Sequence, residues 1–120
     1  PKAYMAISMP DFPNFFMLNG PNGPVGNFTL VDIAEHQWIY IAQLLEKLRD
    51  GEASSIAPSL AAMENFEADR AEAAKQTVWY KGGCNSWYLD ADGIPASWPW
   101  TYYRFVELMA EPDWSAFEMT

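Results

Sequence analysis

The sequence predicts an α+β fold that is rich in helix and contains little sheet. Three observations lead to this fold class. Two long stretches repeat apolar residues every three or four positions, one short apolar run lies between turn-forming residues, and the final third is aromatic and irregular. Hydrophobic residues make up 50% of the 120 residues and charged residues 19%, which is typical of one globular domain.

The first predicted element is a short strand over residues 15–18, Phe-Phe-Met-Leu. Residues 1–14 precede it and are interpreted as an extended lead-in, because they contain Pro10 and Pro13. Since every residue of the run is apolar, the pattern is typical of a strand buried on both faces, as in the centre of a parallel sheet. One such strand is not stable alone, so we expect it to need neighbouring strands.

A loop rich in Gly and Pro, residues 20–28, separates this strand from a long helix. Thr29, with Asp32 three residues later, resembles the capping box that begins many helices. Apolar residues then recur along one helical face, and basic residues followed by Gly51 favour an end there. The sequence therefore predicts a helix over residues 30–49.

A second helix is predicted after a very short extended piece at Ile56-Ala57. It begins at Pro58 or Ser59 and ends near Gln76. One side of this helix carries Leu60, Met63, Phe66, Arg70 and Ala74.

The remainder of the chain is predicted to be irregular and aromatic, with a turn at residues 90–93 and a short helix over 101–110 that stops before Pro112. Aromatic residues make up 16% of the chain, and six of them are Trp. Such a content suits a core, a planar ligand or a large buried interface.

Charge and composition exclude several classes of partner. The net charge of −9 argues against a nucleic-acid or anionic-membrane surface, because both need clustered cations. No stretch is long and apolar enough to span a membrane, and no signal peptide is visible, so we expect a cytoplasmic location. A single cysteine excludes an internal disulfide framework. Because the chain starts at Pro1 and soon enters a strand, we expect a piece of a longer protein.

The sequence contains little that indicates a catalytic site or a metal site. Asp32 and His36 share a helix face, but two ligands on one helix do not make a site. Residues 90–93 lack the other ligand positions of a calcium loop and are interpreted as a solvated turn. Cys84 has only Lys81 as a nearby cation, and we interpret it as a structural, buried cysteine. No catalytic residue and no metal site are predicted in this chain.

The junction of strand, loop and helix is the usual ligand position in open α/β sheets. Free backbone N–H groups and the positive end of the helix dipole point there, where they can stabilise an anion or a carbonyl oxygen. The glycines of the loop fit neither the dinucleotide fingerprint nor the P-loop. A plain connecting loop therefore stays open as the alternative.

Three pieces of the sequence together resemble one enzyme family. They are residues 12–18 (Phe-Pro-Asn-Phe-Phe-Met-Leu) with 20–22 (Gly-Pro-Asn), residues 35–37 (Glu-His-Gln), and residues 83–88 (Gly-Cys-Asn-Ser-Trp-Tyr). In this order, over nearly the whole chain, they resemble the C-terminal part of the flavin-dependent Baeyer–Villiger monooxygenases. That resemblance implies a parent enzyme with FAD and NADPH domains that inserts one oxygen atom from O₂ into a ketone or similar substrate.

The resemblance also implies a role for each piece. Residues 1–51 would be the closing strand, loop and helix of the FAD domain, and residues 52–120 a helix with a Trp-rich extension of the same single fragment. Thr29 and Leu30 match the helix start that faces the flavin, and Trp87 matches a tryptophan at the nicotinamide cofactor. The matching substrate-pocket residues are Val25, Gly26, Asn27 and Phe28.

Several features of the family pattern are absent from this sequence. It contains no dinucleotide fingerprint, and neither Arg70 nor Arg104 matches the family's catalytic arginine. FAD and NADP(H) are therefore implied for the parent, and we expect the fragment alone to be inactive and to bind neither cofactor tightly. Its expected partners are the rest of the enzyme and a small ketone-like substrate, with no nucleic acid and no membrane.

Two other interpretations stay open at this point. The chain is alternatively a stand-alone binding module with a Trp-rich contact surface, or part of another flavin oxidoreductase, such as an amine-oxidising monooxygenase. Alone, the fragment is expected to associate as a dimer through apolar residues that face absent domains.

Overall fold

The computed structural model describes residues 1–83 and 85–120; the interpretation of Cys84 lies outside them. The elements in chain order are α1 (Leu30–Arg49), β1 (Ile56–Pro58), α2 (Leu60–Ala74), α3 (Val78–Lys81), α4 (Tyr102–Met109), a 3₁₀ turn (Trp114–Ala116) and β2 (Phe117–Met119). In the described ranges the strands form a two-stranded sheet, so the mixed, helix-rich fold is confirmed.

The long helix α1 has the predicted bounds. At its start the Thr29 hydroxyl accepts a hydrogen bond from the Asp32 N–H at 3.3 Å. At its end Gly51 adopts a φ of +74°, and the N–H groups of Gly51 and Glu52 donate back to the last turn at 3.2 and 3.1 Å. This pair of bonds is a Schellman motif, in which glycine takes the left-handed position without steric cost.

The helices α2 and α4 also begin at capping side chains. The Ser59 hydroxyl accepts from the Ala62 N–H at 3.1 Å, and the Thr101 hydroxyl accepts from the Arg104 N–H at 3.2 Å. Both predicted helices are confirmed within two residues of their bounds. The one-turn helix α3 was not predicted, since its region was interpreted as irregular.

The strand predicted over residues 15–18 is wrong for this chain: the segment is irregular and pairs with no strand. Phe15 is 46% exposed and Leu18 is 50% exposed, so the run is not buried on both faces. Among the described residues, one hydrogen bond of this segment resembles a strand-to-strand bond: the Met17 N–H donates to the Ile7 carbonyl at 2.7 Å. A central strand needs a neighbour on each edge, and no strand of the described residues pairs with this segment.

Residues 1–14 are not the extended lead-in predicted from sequence. The chain turns back on itself, with the Tyr4 N–H donating to the Ser8 carbonyl at 2.8 Å. Met5 and Ala6 adopt positive φ values of 53° and 61°, which sequence patterns do not indicate for these residue types. As a result Ile7 is fully buried and the N-terminal turn is part of the core.

The core lies between α1, α4, the N-terminal turn and the paired strands. β1 runs antiparallel to β2, with Ile56 opposite Met119, so the predicted extended piece at Ile56-Ala57 is confirmed. The largest buried apolar side chains include Tyr40, Leu44, Trp98 and Phe105. Among the described residues, no helix has the length and hydropathy that a bilayer span requires.

Candidate cofactor and substrate site

Residues predicted for the cofactor and for the substrate meet at one open pocket of about 570 Å³. Trp87 and Tyr88 line it from the C-terminal tail, and Val25 lines it from the Gly/Pro loop. Arg70 and Glu67 line it from α2. The structure therefore brings Val25 and Trp87, which were predicted separately, to one place.

Trp87 is the most exposed large apolar side chain among the described residues, with 84% of its surface accessible. Its ring stacks on that of Tyr88, with centroids 4.6 Å apart and planes at 27°. Tyr88 is supported in turn by Trp79 at a centroid distance of 5.2 Å. An exposed indole with a second ring behind it offers a planar, apolar face to a planar ligand.

The Gly/Pro loop closes into a tight turn beside these rings. Val25 and Phe28 form an isolated bridge across the turn, and Gly26 between them adopts a φ of +87°. A Cβ atom at position 26 would lie only 3.1 Å from the Tyr88 hydroxyl oxygen. Glycine is therefore favoured here by its backbone conformation, and a side chain at this position would also crowd the Tyr88 hydroxyl.

The inner side of the loop is anchored in the core. The Asn27 amide donates to the Trp98 carbonyl at 3.4 Å. Phe28 meets Tyr102 edge-to-face at 4.9 Å and lies 6.1 Å from Phe105. Of the four predicted substrate-pocket residues, Val25 lines the pocket and Gly26, Asn27 and Phe28 do not; Asn27 and Phe28 support the loop from behind.

The start of α1 lines a second pocket, which adjoins the pocket of Trp87 at Asn19. Thr29 uses its hydroxyl as the helix cap, while Leu30 and Val31 are 52% and 71% exposed. Their N–H groups belong to the first turn and have no intrahelical acceptor, so they offer donors at the positive end of the helix dipole. Leu30, Val31, Trp38 and Ile39 form an exposed apolar patch, here named the α1 surface.

Asp32 and His36 come together with Tyr102 beside this loop. The His36 Nε2 atom lies 3.7 Å from the Asp32 carboxylate and 3.3 Å from the Tyr102 hydroxyl. The interaction with Asp32 raises the pKa of Tyr102 above its ordinary value. Within residues 1–83 and 85–120, no three His, Cys, Asp or Glu side chains gather as a metal-binding group.

The turn predicted at residues 90–93 is confirmed, and it closes a small hairpin. The Asp90 carboxylate accepts from the N–H groups of Asp92 and Ile94 at 2.9 and 3.0 Å. Leu89 and Pro95 bridge the two arms. We name residues 88–96 the hairpin; it follows Trp87 directly.

Arg70 lines the pocket and was not predicted as a site residue. Its side chain is 1% exposed and pairs with Glu67 at 2.8 Å. The hydrogen bond from Arg70 is the largest cause that lowers the pKa of Glu67. A signal was present in the sequence, because Arg70 is the one charged residue on the predicted apolar side of α2, three residues after an acidic residue.

Comparisons with known proteins show what this chain is similar to, although no protein-family model matches it. It is 45% identical over 110 residues to an uncharacterised monooxygenase of Mycobacterium tuberculosis, covering 92% of the chain and 22% of that protein. It is 41% identical over 96 residues to a Baeyer–Villiger monooxygenase of Streptomyces coelicolor, covering 78% and 18%. An FAD-binding monooxygenase of Dothistroma septosporum is 27% identical over 121 residues, covering 99% and 19%.

Solved structures give the same result for the fold. A closed crystal structure of cyclohexanone monooxygenase matches with a TM-score of 0.82 and 25% identity, covering 100% of this chain and 23% of that one. An oxidised steroid monooxygenase bound to NADP matches with a TM-score of 0.84 and 24% identity, covering 99% and 23%.

These relatives are monooxygenases, of which the Dothistroma septosporum protein is FAD-binding and the steroid monooxygenase is bound to NADP. More particularly, the chain is homologous to part of the Baeyer–Villiger monooxygenases. It spans about a fifth of the length of the relatives it matches, 22% for the Mycobacterium tuberculosis protein.

Proposed function

We propose that this chain is the C-terminal part of a flavin-dependent monooxygenase that uses NADPH and O₂ to insert one oxygen atom into a ketone or similar substrate. The observation that carries the proposal is the 41% identity over 96 residues to a Baeyer–Villiger monooxygenase. In the complete enzyme, FAD supplies the two-electron chemistry that activates oxygen. The residues of this chain bind and orient the cofactors and enclose the substrate.

Trp87 contacts the nicotinamide cofactor in this proposal. Its fit to that role rests on an indole that is 84% exposed and stacked on Tyr88. The supporting ring limits the rotamers of the indole, so less conformational freedom is lost when a planar group stacks on it. Stacking of this kind favours a cofactor ring over a substrate that lacks one.

Thr29 and Leu30 contribute the helix start beside the flavin. The capping bond of Thr29 fixes the first turn, and the N–H group of Leu30 in that turn has no intrahelical acceptor. A donor at the positive end of α1 suits the electron-rich edge of a flavin and stabilises the negative charge that the flavin gains on reduction.

Val25, Gly26, Asn27 and Phe28 contribute one wall of the substrate pocket. Val25 presents an apolar side chain, and the tight turn at Gly26 brings the loop against Tyr88. This contact sets the substrate wall next to the cofactor-contacting tryptophan. An apolar wall excludes water and binds the hydrocarbon part of a ketone.

The remainder of the parent enzyme covers the apolar groups that this chain leaves exposed. The α1 surface and residues 12–18 carry large apolar side chains in contact with solvent. Patches of this kind mark interaction surfaces. The stand-alone binding module is not favoured, because the relatives are monooxygenases of which this chain matches only 22% or 18%.

The test is the activity of the full-length protein that carries this chain. We expect a purified flavoprotein that consumes one NADPH, one proton and one O₂ per ketone, with an ester or lactone, water and NADP⁺ as products. With ¹⁸O₂ as the oxidant, one labelled atom is expected in the ester or lactone. A protein without flavin would contradict the proposal, and oxidation of amines but not ketones would favour the amine-oxidising alternative.

A further inference from the structure

Three successive peptide groups beside the pocket are bound by buried side chains. The Arg70 Nη1 atom donates to the carbonyls of Pro95 and Ser97 at 2.6 and 3.1 Å. Between them, the carbonyl of Ala96 accepts from the Asn22 amide at 2.7 Å. Arg70 and Asn22 therefore hold all three carbonyls of residues 95–97.

The guanidinium of Arg70 is itself held in one orientation. Its Nε and Nη2 atoms each donate to a carboxylate oxygen of Glu67 at 2.8 Å, while the side chain of Arg70 is 1% exposed. A buried guanidinium is costly unless all its bonds are satisfied. The forked pair with Glu67 and the two carbonyls occupy four of the five N–H donors of the guanidinium, so Arg70 is oriented from both sides.

The segment held by Arg70 is bonded directly to the residue next to Trp87. The Ala96 N–H donates to the Tyr88 carbonyl at 2.9 Å, and Leu89 bridges Pro95. Through the hairpin, residues 95–97 therefore fix the position of Tyr88 and of the indole stacked on it.

The same segment is bonded to the substrate-pocket loop on its other side. The Trp98 N–H donates to the Gly23 carbonyl at 3.1 Å, and the Trp98 carbonyl accepts from Asn27 at 3.4 Å. One stretch of backbone therefore connects the cofactor-contacting tryptophan with the loop of Val25 to Phe28.

We propose that Arg70, oriented by Glu67, is a positioning residue that clamps residues 95–97 and thereby holds Trp87 beside the loop in the geometry that NADP(H) binding requires. This inference rests on the proposed function. Arg70 acts through Trp87 and the hairpin, and it does not itself react.

The test uses the full-length enzyme with the Arg70→Gln/Glu67→Gln double variant, which removes the clamp without leaving one charge buried and unpaired. We expect the KM for NADPH to rise about threefold, no more than the several-fold rise expected when Trp87 itself is removed, while kcat at saturating NADPH changes by less than about twofold. Arg70→Lys keeps the charge but loses the fork and is expected to give an intermediate rise. Arg104→Gln is the matched control, since Arg104 is half exposed and outside the pocket.

A double-mutant cycle with Trp87→Ala separates positioning from general destabilisation. If Arg70 acts through Trp87, the KM for NADPH in the combined variant equals that of Trp87→Ala alone. Additive increases in KM, or an unchanged KM in both Arg70 variants, would overturn the proposal.

Hydrogen exchange of residues 87–98 gives a readout independent of activity. We expect amide exchange to become about tenfold faster there in the double variant, and no change in α1. Unchanged exchange at 87–98 overturns the clamp. A wild-type enzyme that does not oxidise NADPH overturns the proposed function and the cofactor role of the clamp, while the exchange result still shows whether Arg70 holds the hairpin.

Discussion

Two tryptophans of the C-terminal tail lie in opposite environments. Trp98 is 1% exposed and packs against Phe66, Trp100 and Phe105 at centroid distances of 6.0, 4.9 and 5.4 Å. Trp87 is 84% exposed and stacks on its neighbour Tyr88. The same residue type therefore completes the core at one position and offers a surface at the other.

This difference extends to the regions that carry the two residues. Trp98 belongs to one packed core together with buried residues of the N-terminal turn, α1, α2 and α4. Around Trp87, the pocket is open, and the nearby α1 surface is apolar but exposed. The first region is complete within this chain, whereas the second becomes complete only with a cofactor and the rest of a larger enzyme, as the proposed function requires.

The largest expected effect is on the buried tryptophan. Trp98→Ala should lower the free energy of unfolding by about 3–5 kcal/mol, because it removes a large buried ring and leaves a cavity. Trp87→Ala should lower it by less than about 0.5 kcal/mol, since the side chain is exposed. Urea unfolding of the two variants measures the contrast, and equal losses would contradict it.

A close approach in the N-terminal turn gives the next effect. A Cβ atom at position 20 would lie 2.3 Å from the Ala6 carbonyl oxygen, which is backbone and cannot rotate away. Gly20→Ala should therefore destabilise the fold by about 3 kcal/mol. Gly51→Ala is the matched control, because its φ is +74° but a Cβ there meets nothing within 4 Å. It should cost about 1 kcal/mol, and a larger loss than at Gly20 would refute this account.

The exposed α1 surface should make the isolated chain associate with a second copy of itself. We expect a dimer that dissociates when Val31→Ser and Trp38→Ser are combined, since these side chains are 71% and 54% exposed on the α1 surface. Val78→Ser tests specificity, because Val78 is 73% exposed on α3 and lies outside that surface. Sedimentation velocity measures the result. A wild-type chain that stays monomeric at high concentration would argue against an unsatisfied surface.

The stabilisation from the ion pair between Arg70 and Glu67 should depend on pH. The hydrogen bond from Arg70 lowers the pKa of Glu67 below its ordinary 4.5. Because the folded state then holds this proton less tightly than the unfolded state, the stabilisation is present above pH 4.5 and is lost as the pH falls through the folded pKa. Glu67→Gln should flatten the loss of stability below pH 4.5, as measured by urea unfolding at several pH values. An unchanged slope would show that this carboxylate contributes nothing.

The elements that sequence predicted well are those with local causes. The capping side chains Thr29 and Ser59, the final Gly51 and the helical repeat of apolar residues fix α1 and α2 within short windows. The turn after Asp90 likewise follows from one carboxylate that accepts nearby N–H groups.

The errors and omissions come from causes outside such windows. Residues 15–18 have the composition of a buried strand, but their burial depends on strands that this chain does not supply. The N-terminal turn depends on positive φ at Met5 and Ala6, and β1 pairs with a strand at the far end of the chain. Arg70 was visible as a charge on an apolar face, but the carbonyls that it binds are set by tertiary structure.

The site predictions divide in the same way. Sequence reasoning selected Val25 and Trp87 separately, by resemblance, and the structure brings both to one pocket. Leu30 lies on the α1 surface instead. The roles of these residues toward FAD and NADP(H) stay predictions.

The central claim is that Trp87 is exposed in this chain because it contacts the nicotinamide cofactor. The most direct test is the KM for NADPH of the full-length Trp87→Ala variant, measured together with its flavin content and melting temperature. Loss of one aromatic contact of about 1 kcal/mol predicts a KM several-fold higher, with flavin content and melting temperature as in the wild type. A variant with an unchanged KM for NADPH, or one that loses flavin and stability together, would contradict the claim.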